Sequence, residues 1–473
     1  MDLLTLRAAA GGGTIDGHPA AALVAAGFTL LQRSPVLVRA LAGTRAAILL
    51  PTSPQFLVAL AACDGRGAVL VNPLAAPSEV AHQCADAGVG AILTIAPMAK
   101  RLPPGLVQVL LDEAPAAATV VAADGAATRV DLGTHFGLDV EGEADAPGRD
   151  EECAIVYTSG MAGRALGAIL THRNLITNAR ATVQAAAFTP EDHVLAMLPW
   201  SHLFGLTVSG IAPLLVKARV STMARFNPLT AVDRVAAEGI TTLIAVPAVF
   251  AALLQAIERR GGLPAHALRL CICGGAPLDP ALQARWAEAT GVELRQGYGL
   301  TEASPVALFN RVDRPNRRGT LGLPFPGVRV SVRDPASGAE RATGIEGEIC
   351  VAGDTVFRGY VSGGELGLQV RDGWLHTGDL GIADADGVVR FTGLCKPMFT
   401  RNGFNVYPRE VERVLGTLPG VRAVSVTGEP DPASEHEVAA TVTGSVSEAD
   451  VKAWAEAHLS AYKRPTRLTI VPG

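Results

Sequence analysis

The stretch Thr158-Ser-Gly-Met-Ala-Gly-Arg-Ala-Leu-Gly167 is made of hydroxyl-bearing and small residues. It follows the apolar run Ile155-Val-Tyr157 and precedes Thr171, a residue type that caps helices. Gly160, Gly163 and Gly167 let backbone N–H groups approach an anion closely, and Thr158 and Ser159 add hydroxyl donors. Strand, glycine-rich loop and helix N-terminus together suit a phosphate group. The lysine that such loops commonly carry is missing. A plain tight turn between strand and helix has the same composition.

Four further positions could do related chemistry. Gly274-Gly275-Ala276-Pro277-Leu278 lies between an apolar run and a helical pattern, at the strand end where open α/β sheets bind ligands. Gly297-Tyr298-Gly299-Leu300-Thr301-Glu302 offers an aromatic face for a base, a hydroxyl for phosphate and a carboxylate for Mg2+. Trp374-Leu-His-Thr-Gly-Asp379 places a carboxylate in a turn, where it would accept hydrogen bonds from two ribose hydroxyls. His202, after Pro199-Trp200-Ser201, opens a helical pattern at a strand end and would line a substrate pocket. Taken singly, each also fits a structural role: a βα turn, a solvated glutamate, a turn aspartate, a packed histidine.

The elements that must position these residues follow from periodicity. Strands are predicted at Ala46–Leu50, Ala68–Val71, Ala91–Ile95 and Val107–Leu111, with helices at Gln55–Cys63 and Ser78–Ala87. Residues 1–45 read as helical, and 112–150 as a surface connection with one or two short strands. Beyond the glycine loop, helical patterns at Asn174–Ala187, His202–Leu215, Ala231–Glu238, Pro247–Glu258 and Pro280–Thr290 alternate with apolar runs at Val194–Leu198, Thr241–Val246, Leu268–Cys273 and Val292–Gln296. This rhythm predicts a mostly parallel sheet covered by helices.

After Arg311 the texture changes. Val328–Val332, Gly347–Val351 and Val388–Phe391, separated by Gly, Asp and Pro turns, predict an antiparallel β subdomain. Past Lys396, a helix at Glu410–Leu415, strands at Val421–Thr427 and Glu437–Thr443, and a helix at Glu448–His458 capped by Ser447 and Asp450 predict a compact unit. The fold class is therefore α/β. A large N-terminal domain of stacked α/β sheets, residues 1–395, carries a β subdomain at 312–395. A small α+β domain follows at 396–473.

Composition narrows the function classes. The net charge of −5 gives no basic footprint for nucleic acid. Apolar residues make up 49% of the 473 positions but aromatics only 5%, which predicts a core of small aliphatic side chains. The seven cysteines are scattered through apolar runs and read as buried, reduced thiols, and no Cys/His group has metal-ligand spacing along the chain. With no basic-then-apolar leader and no apolar run of about 18 residues, the chain reads as soluble and cytoplasmic, without a transmembrane segment.

The order and spacing of these stretches carry more than any one of them. With Leu49-Leu-Pro-Thr-Ser-Pro-Gln-Phe56, Asn72-Pro73 and Gly403-Phe-Asn-Val-Tyr-Pro-Arg-Glu-Val-Glu412, they resemble the adenylate-forming superfamily of acyl-CoA synthetases, adenylation domains and luciferases. The resemblance covers residues 35–473. It implies an AMP-forming ligase that uses ATP and Mg2+ to join a carboxylic acid to CoA or to the pantetheine of an acyl carrier protein. By match, Thr158, Ser159, Gly160 and Gly163 would form the phosphate loop. Gly274, Gly275, Ala276 and Tyr298 would hold adenine, and Asp379 the ribose. Thr301 would contact phosphate, Glu302 would bind Mg2+, and His202 would gate the acyl pocket. Lys396 would be the hinge, and Gly403 would border the pantetheine tunnel. The apolar segment Leu206–Val216 favours a fatty or other apolar acid, and the resemblance implies the same, since adenylation domains for amino acids carry an acidic residue near the position of the apolar Phe204.

The sequence also departs from the family pattern. Met161 and Ala162 replace hydroxyl residues of the phosphate loop, Ala165 replaces its proline, and Leu166 replaces its lysine. Leu394 replaces the arginine beside the ribose, and Pro397 follows the hinge. The family's final lysine would fall beyond Gly473 and is expected to be missing. Cations that would face ATP are thus expected to be missing, with Arg164 as the one neighbouring substitute, while Glu302 and Asp379 are kept. The alternative expectation is a degenerate relative that binds an acyl group, a thioester or a partner protein without efficient adenylation.

Overall fold

The computed structural model describes residues 12–63, 67–133, 150–159, 165–363, 368–395 and 398–472. Two nine-stranded sheets dominate. The first has a parallel centre formed by Glu152–Ser159, Ala68–Leu70, Arg45–Ile48, Val89–Thr94 and Val107–Leu111. Antiparallel strands extend it on both sides. The second is parallel from Leu294–Gly299 through Leu270–Cys273, Thr242–Ala245, His193–Ala196 and Arg219–Thr222 to Thr14–Ile15.

Strand periodicity explains how the sheets stack. Ala46 and Ile48 face one side of the first sheet, and Ala47 and Leu49 the other, each group in its own apolar cluster. The inner faces of both sheets share one core with the helices Ala20–Arg33, Pro54–Ala62 and His172–Ala186. Every residue of Pro54–Ala62 is buried, as a helix between two sheets must be. Gly27 lets it approach Ala20–Arg33, since a Cβ there would come 2.3 Å from the Val58 carbonyl oxygen.

A smaller antiparallel sheet joins Arg329–Arg333, Gly347–Ala352, Trp374–Ala383, Val370–Arg371 and Val389–Leu394. Near the C-terminal end, Val421–Asp431, Glu435–Gly444 and Arg467–Pro472 form a three-stranded sheet with its own core, backed by the helices Pro408–Gly416 and Glu448–His458. Ser447 and Asp450 cap the latter helix reciprocally, as the sequence predicts. Among the described residues no single helix is long and apolar enough to cross a membrane.

Several expectations are corrected. The phosphate-loop stretch does not run from a loop straight into a helix: its described residues 165–171 are strand. Glu152–Ser159 and Ala165–Thr171 pair as an antiparallel hairpin, and the helix starts only at His172 with Thr171 as its cap. The Ala- and Gly-rich run 165–168 has weak strand propensity, so pairing with Glu152–Ser159 decides its state. Asp379 lies within the long strand Trp374–Ala383, not in a turn between elements. The segment before residue 45 contains two short strands, Thr14–Ile15 and His18–Pro19, as well as helices. The segment after His202 begins as a π-helix at Phe204–Ile211. Cys395 is exposed, whereas the other six cysteines are buried. Ligand spacing along the chain also misses a three-dimensional group, Glu348, Cys350 and His376.

A buried ion cluster fastens the C-terminal unit to the first sheet's helix Pro77–Asp86. Lys463, 4% exposed, donates to Glu410 at 2.8 Å and to Glu79 at 3.1 Å. Ser460 also donates to Glu79, and Ser78 donates to the Ala457 carbonyl oxygen at 2.9 Å. Burial opposes ionisation of Glu79, yet Lys463, Ser460 and the Ala76 N–H together hold its carboxyl below the usual range. That stabilisation is complete above the unfolded glutamate pKa and fades as pH falls through the lower folded value.

Removing one partner of such a cluster leaves buried charge uncompensated. K463A is expected to cost about 3–5 kcal/mol, measured by chemical denaturation of the full chain. The double variant K463A/E410Q should recover part of that loss. A cost for K463A below about 1 kcal/mol, the range of surface pairs, would mean that the cluster does not hold the two units together.

Candidate active site

A cavity of about 710 Å³ opens where the C-terminal ends of both parallel sheets meet the small antiparallel sheet and the C-terminal unit. Thr158, His202, Gly274, Gly275, Ala276, Tyr298, Thr301, Glu302, Asp379 and Gly403 all line it. Residues spread over some 245 positions are thereby gathered into one site. Gly160, Gly163 and Lys396 lie outside the described residues. Ser159 ends its strand, and its side chain is likewise outside the description.

Glu302 sits in a 3-10 turn, Thr301–Ala303, directly after the strand Leu294–Gly299. It is 5% exposed. Tyr360 donates to its Oε1 at 2.7 Å, and Thr158 Oγ1 lies 3.3 Å from the same oxygen. Burial raises the Glu302 carboxyl above its ordinary pKa against the pull of these hydroxyls. Tyr360 has no sequence motif of its own. It arrives from a two-residue strand, Gly359–Tyr360, that pairs with Ala168 and Ile169 of the hairpin.

Asp379 is placed by an irregularity in its strand. Glu348 pairs with Leu380 but Cys350 pairs with His376, so the segment Thr377–Asp379 bulges outward. Gly378 supplies the positive φ of 78° that the bulge needs. Thr377 Oγ1 accepts the Asp379 N–H at 3.1 Å, and Tyr298 donates to Asp379 Oδ2 at 2.6 Å. Burial pushes the Asp379 carboxyl up to about 6, against the lowering effect of Tyr298 and with added repulsion from Glu348 and Glu302. Leu394 pairs directly opposite Asp379 and lines the cavity. An apolar side chain therefore occupies the position from which a cation would face that carboxylate.

Leu166 tells a similar story on the hairpin. It pairs opposite Thr158 and is 2% exposed, packed into the main core. Gly167 serves packing here, because a Cβ would come 2.9 Å from the Tyr157 ring. Among the described lining residues the one lysine or arginine is Lys463, already paired with Glu79 and Glu410.

The glycines on the opposite wall keep space open. A Cβ on Gly274 would come 3.2 Å from both the Phe204 ring and the Gly297 carbonyl oxygen. Gly275 has φ of 82°. Gly403 turns the hairpin formed by Phe399–Arg401 and Phe404–Val406, with φ of 77°, and packs so closely on Val246 that a Cβ would come within 2.6 Å. His202 is accessible because it faces the cavity, while its enclosure lowers the imidazole pKa and favours the neutral ring. Beyond it, Phe204, Val208, Ile272, Val306 and Phe309 form an apolar wall. Sequence reasoning missed Tyr360, Glu79 and Lys463 as site-forming residues, since each acts through partners remote in the chain.

Comparison with known proteins agrees with this fold. Residues 37–361 match the family model described as AMP-binding enzyme, and 410–473 match AMP-binding enzyme C-terminal domain. A feruloyl-CoA synthase from an Amycolatopsis species is 34% identical over 432 residues, 89% of this chain and 84% of its own length. A long-chain-fatty-acid–CoA ligase from Salmonella typhimurium is 31% identical over 464 residues, covering 90% and 82%. A malonyl-CoA ligase solved as a ternary product complex with methylmalonyl-CoA and AMP has a TM-score of 0.81 at 27% identity, covering 98% of this chain and 96% of its own. An o-succinylbenzoate CoA synthetase from Bacillus subtilis shares the fold, with a TM-score of 0.80 at 23% identity and coverage of 100% and 95%.

The raised Asp379 pKa sets a pH dependence. The ordinary aspartate value is about 3.9 and the folded value is about 6, so the folded chain keeps a proton that the unfolded chain releases. This residue's contribution to stability therefore falls as pH rises between about 4 and about 6. D379N should gain stability relative to the parent chain across that window and level off above it, measured by denaturation midpoints at stepped pH. A difference independent of pH would show that Asp379 does not titrate there.

Proposed function

Since the chain belongs to the AMP-binding enzyme family, we propose that it is an AMP-forming ligase that activates an apolar carboxylic acid with ATP and transfers the acyl group to the thiol of CoA. The observation that carries this reading is the convergence of two carboxylates in one cavity, each held by tyrosine: Glu302 by Tyr360, and Asp379 by Tyr298.

The side chains fit the groups they would hold. Asp379 offers a carboxylate acceptor for ribose hydroxyls, and the Tyr298 ring with the Gly274–Ala276 backbone offers a flat, Cβ-poor slot for adenine. Thr158 and Thr301 present hydroxyls toward the phosphate position. Glu302 is a buried oxygen donor whose nearest partners are hydroxyls, an environment suited to Mg2+. When bound, that ion would supply positive charge at the phosphates. The wall formed by Phe204, Val208, Ile272, Val306 and Phe309 suits a fatty or aromatic acid, with neutral His202 at its mouth. Gly403 brings the C-terminal hairpin to the same cavity, where a thiol would enter from free CoA or from a carrier protein. The division into an N-terminal domain through residue 395 and a mobile C-terminal domain belongs to this proposal.

A second reading rests on Leu394. Its place opposite Asp379, together with buried Leu166 opposite Thr158, removes two cations from positions that would face the nucleotide. Charge-assisted hydrogen bonds contribute roughly 1.5–3 kcal/mol each, so adenylation would be slow and the acyl or thioester site would outlast it.

ATP–pyrophosphate exchange and thioester formation across a panel of aliphatic, aromatic and dicarboxylic acids separate the two. Turnover with apolar acids supports the ligase. Absence of both exchange and calorimetric ATP binding leaves the degenerate reading. L394R should tighten ATP by about 10–100-fold, seen as a lower KM or Kd for ATP with little change in that for the acid. No gain would show that residue 394 does not face the nucleotide.

A further inference from the structure

Behind the Asp379 bulge lies a second chemical group that the ligase reading does not use. Glu348 and Cys350 come from the strand Gly347–Ala352, and His376 from the neighbouring strand Trp374–Ala383, where it pairs with Cys350. Their exposures are 6%, 0% and 9%. His376 Nδ1 lies 2.6 Å from Glu348 Oε2 and 3.6 Å from Cys350 Sγ. The three ligand atoms all fall within 4.8 Å of one another. That triangle is about the size spanned by ligands bonded to a first-row metal at roughly 2.0–2.3 Å.

We propose that Glu348, Cys350 and His376 form a binding site for a Zn2+-class transition-metal ion, separate from the Mg2+ position at Glu302.

The donor set is selective. Sulfur, imidazole nitrogen and a carboxylate oxygen together suit Zn2+ or Co2+, whereas Mg2+ and Ca2+ take oxygen ligands. A divalent ion would offset the charge of a Glu348 carboxylate and a Cys350 thiolate; with no ion bound, burial and then the Glu348 charge hold the Cys350 proton in place, while Arg333 favours its release. One outer-shell contact is already in place, since Glu348 Oε1 accepts the Gly378 N–H at 2.9 Å, and Thr377 Oγ1 steadies the neighbouring backbone by donating to the Ile349 carbonyl oxygen at 2.7 Å. Both bonds belong to the bulge that presents Asp379. An ion here would tie the two strands together directly behind that carboxylate.

Cobalt tests the site without any assay of activity. The reduced full-length chain, stripped with chelator, is titrated with Co2+ under anaerobic conditions. One equivalent should produce a near-ultraviolet thiolate-to-cobalt charge-transfer band with visible d–d bands, and Zn2+ should displace it stoichiometrically. C350A should lose the charge-transfer band, and C350S serves the same purpose if C350A does not fold. C395A, which removes the exposed thiol, should keep the band. Loss of even an outer-shell partner weakens metal sites about 10–100-fold, so H376Q should weaken Co2+ binding by at least about 100-fold. No band in the parent chain, a band that survives in C350A or vanishes in C395A, or unchanged affinity in H376Q would each overturn the assignment.

Discussion

Burying carboxylates without a cation beside them is the constraint on which this site depends. A carboxylate taken from water loses far more than a neutral hydrogen bond returns. Here Glu302 and Asp379 share one cavity, and both are pushed toward the protonated form by burial. Tyrosine hydroxyls hold them: Tyr360 on Glu302 and Tyr298 on Asp379. The surrounding architecture exists to bring those partners together. Tyr298 and Glu302 come from one strand and the turn after it, Tyr360 from a strand fragment at the edge of the first sheet, and Asp379 from a bulge in the third. The cavity is therefore a junction of three sheets, closed on its remaining side by the C-terminal unit through Lys463.

The parts of this design written locally were legible in the sequence. The helix Pro280–Thr290 has proline at its first turn and Gly291 at its end, and Glu448–His458 has a capping box; both were read to the residue. Thr158, Gly274 and Glu302 were legible as candidates because each stands at or just past the end of an apolar strand, in an order that resembles one family. What stayed hidden depends on partners far away. Ala165–Gly167 became strand because Glu152–Ser159 pairs with it, against its own weak propensity. Asp379 looked like a turn residue because glycine precedes it. That glycine serves a bulge inside a long strand, and a bulge is defined by the partner strand's register. Tyr360, Glu79, Lys463 and the Glu348–Cys350–His376 group carry no local signature, since pairing between distant strands and helices creates them.

The substitutions at Leu166 and Leu394 make sense together once their neighbours are known. Leu166 stands opposite Thr158 on the hairpin, and Leu394 opposite Asp379 on the small sheet. Each lies beside a polar group that the chain has kept. An apolar side chain at either place does not disturb the backbone that carries the neighbouring residue, because the ladder's hydrogen bonds are made by main-chain groups whatever the side chain. Apolar residues at these two positions therefore coexist with the geometry of Thr158, Asp379 and Tyr298. The backbone scaffold and the charge on its side chains are separable at these two positions.

That separation shapes what can bind. Among the described lining residues, Lys463 is committed to Glu79 and Glu410, His202 is held neutral by its enclosure, and the carboxylates resist ionising. A polyanionic ligand entering such a cavity gains little from the wall's fixed charge and raises the cost of ionising Glu302 and Asp379 further. Positive charge arriving with the ligand reverses both effects at once. It offsets the phosphates and restores the carboxylates to their charged, ligating form. If Glu302 holds that ion as proposed, ligand and counter-ion binding would be coupled through it, so neither affinity would be a property of the empty cavity alone. Because burial raises the Glu302 carboxyl, a proton would join that linkage, and ligand affinity would then depend on ion and pH together.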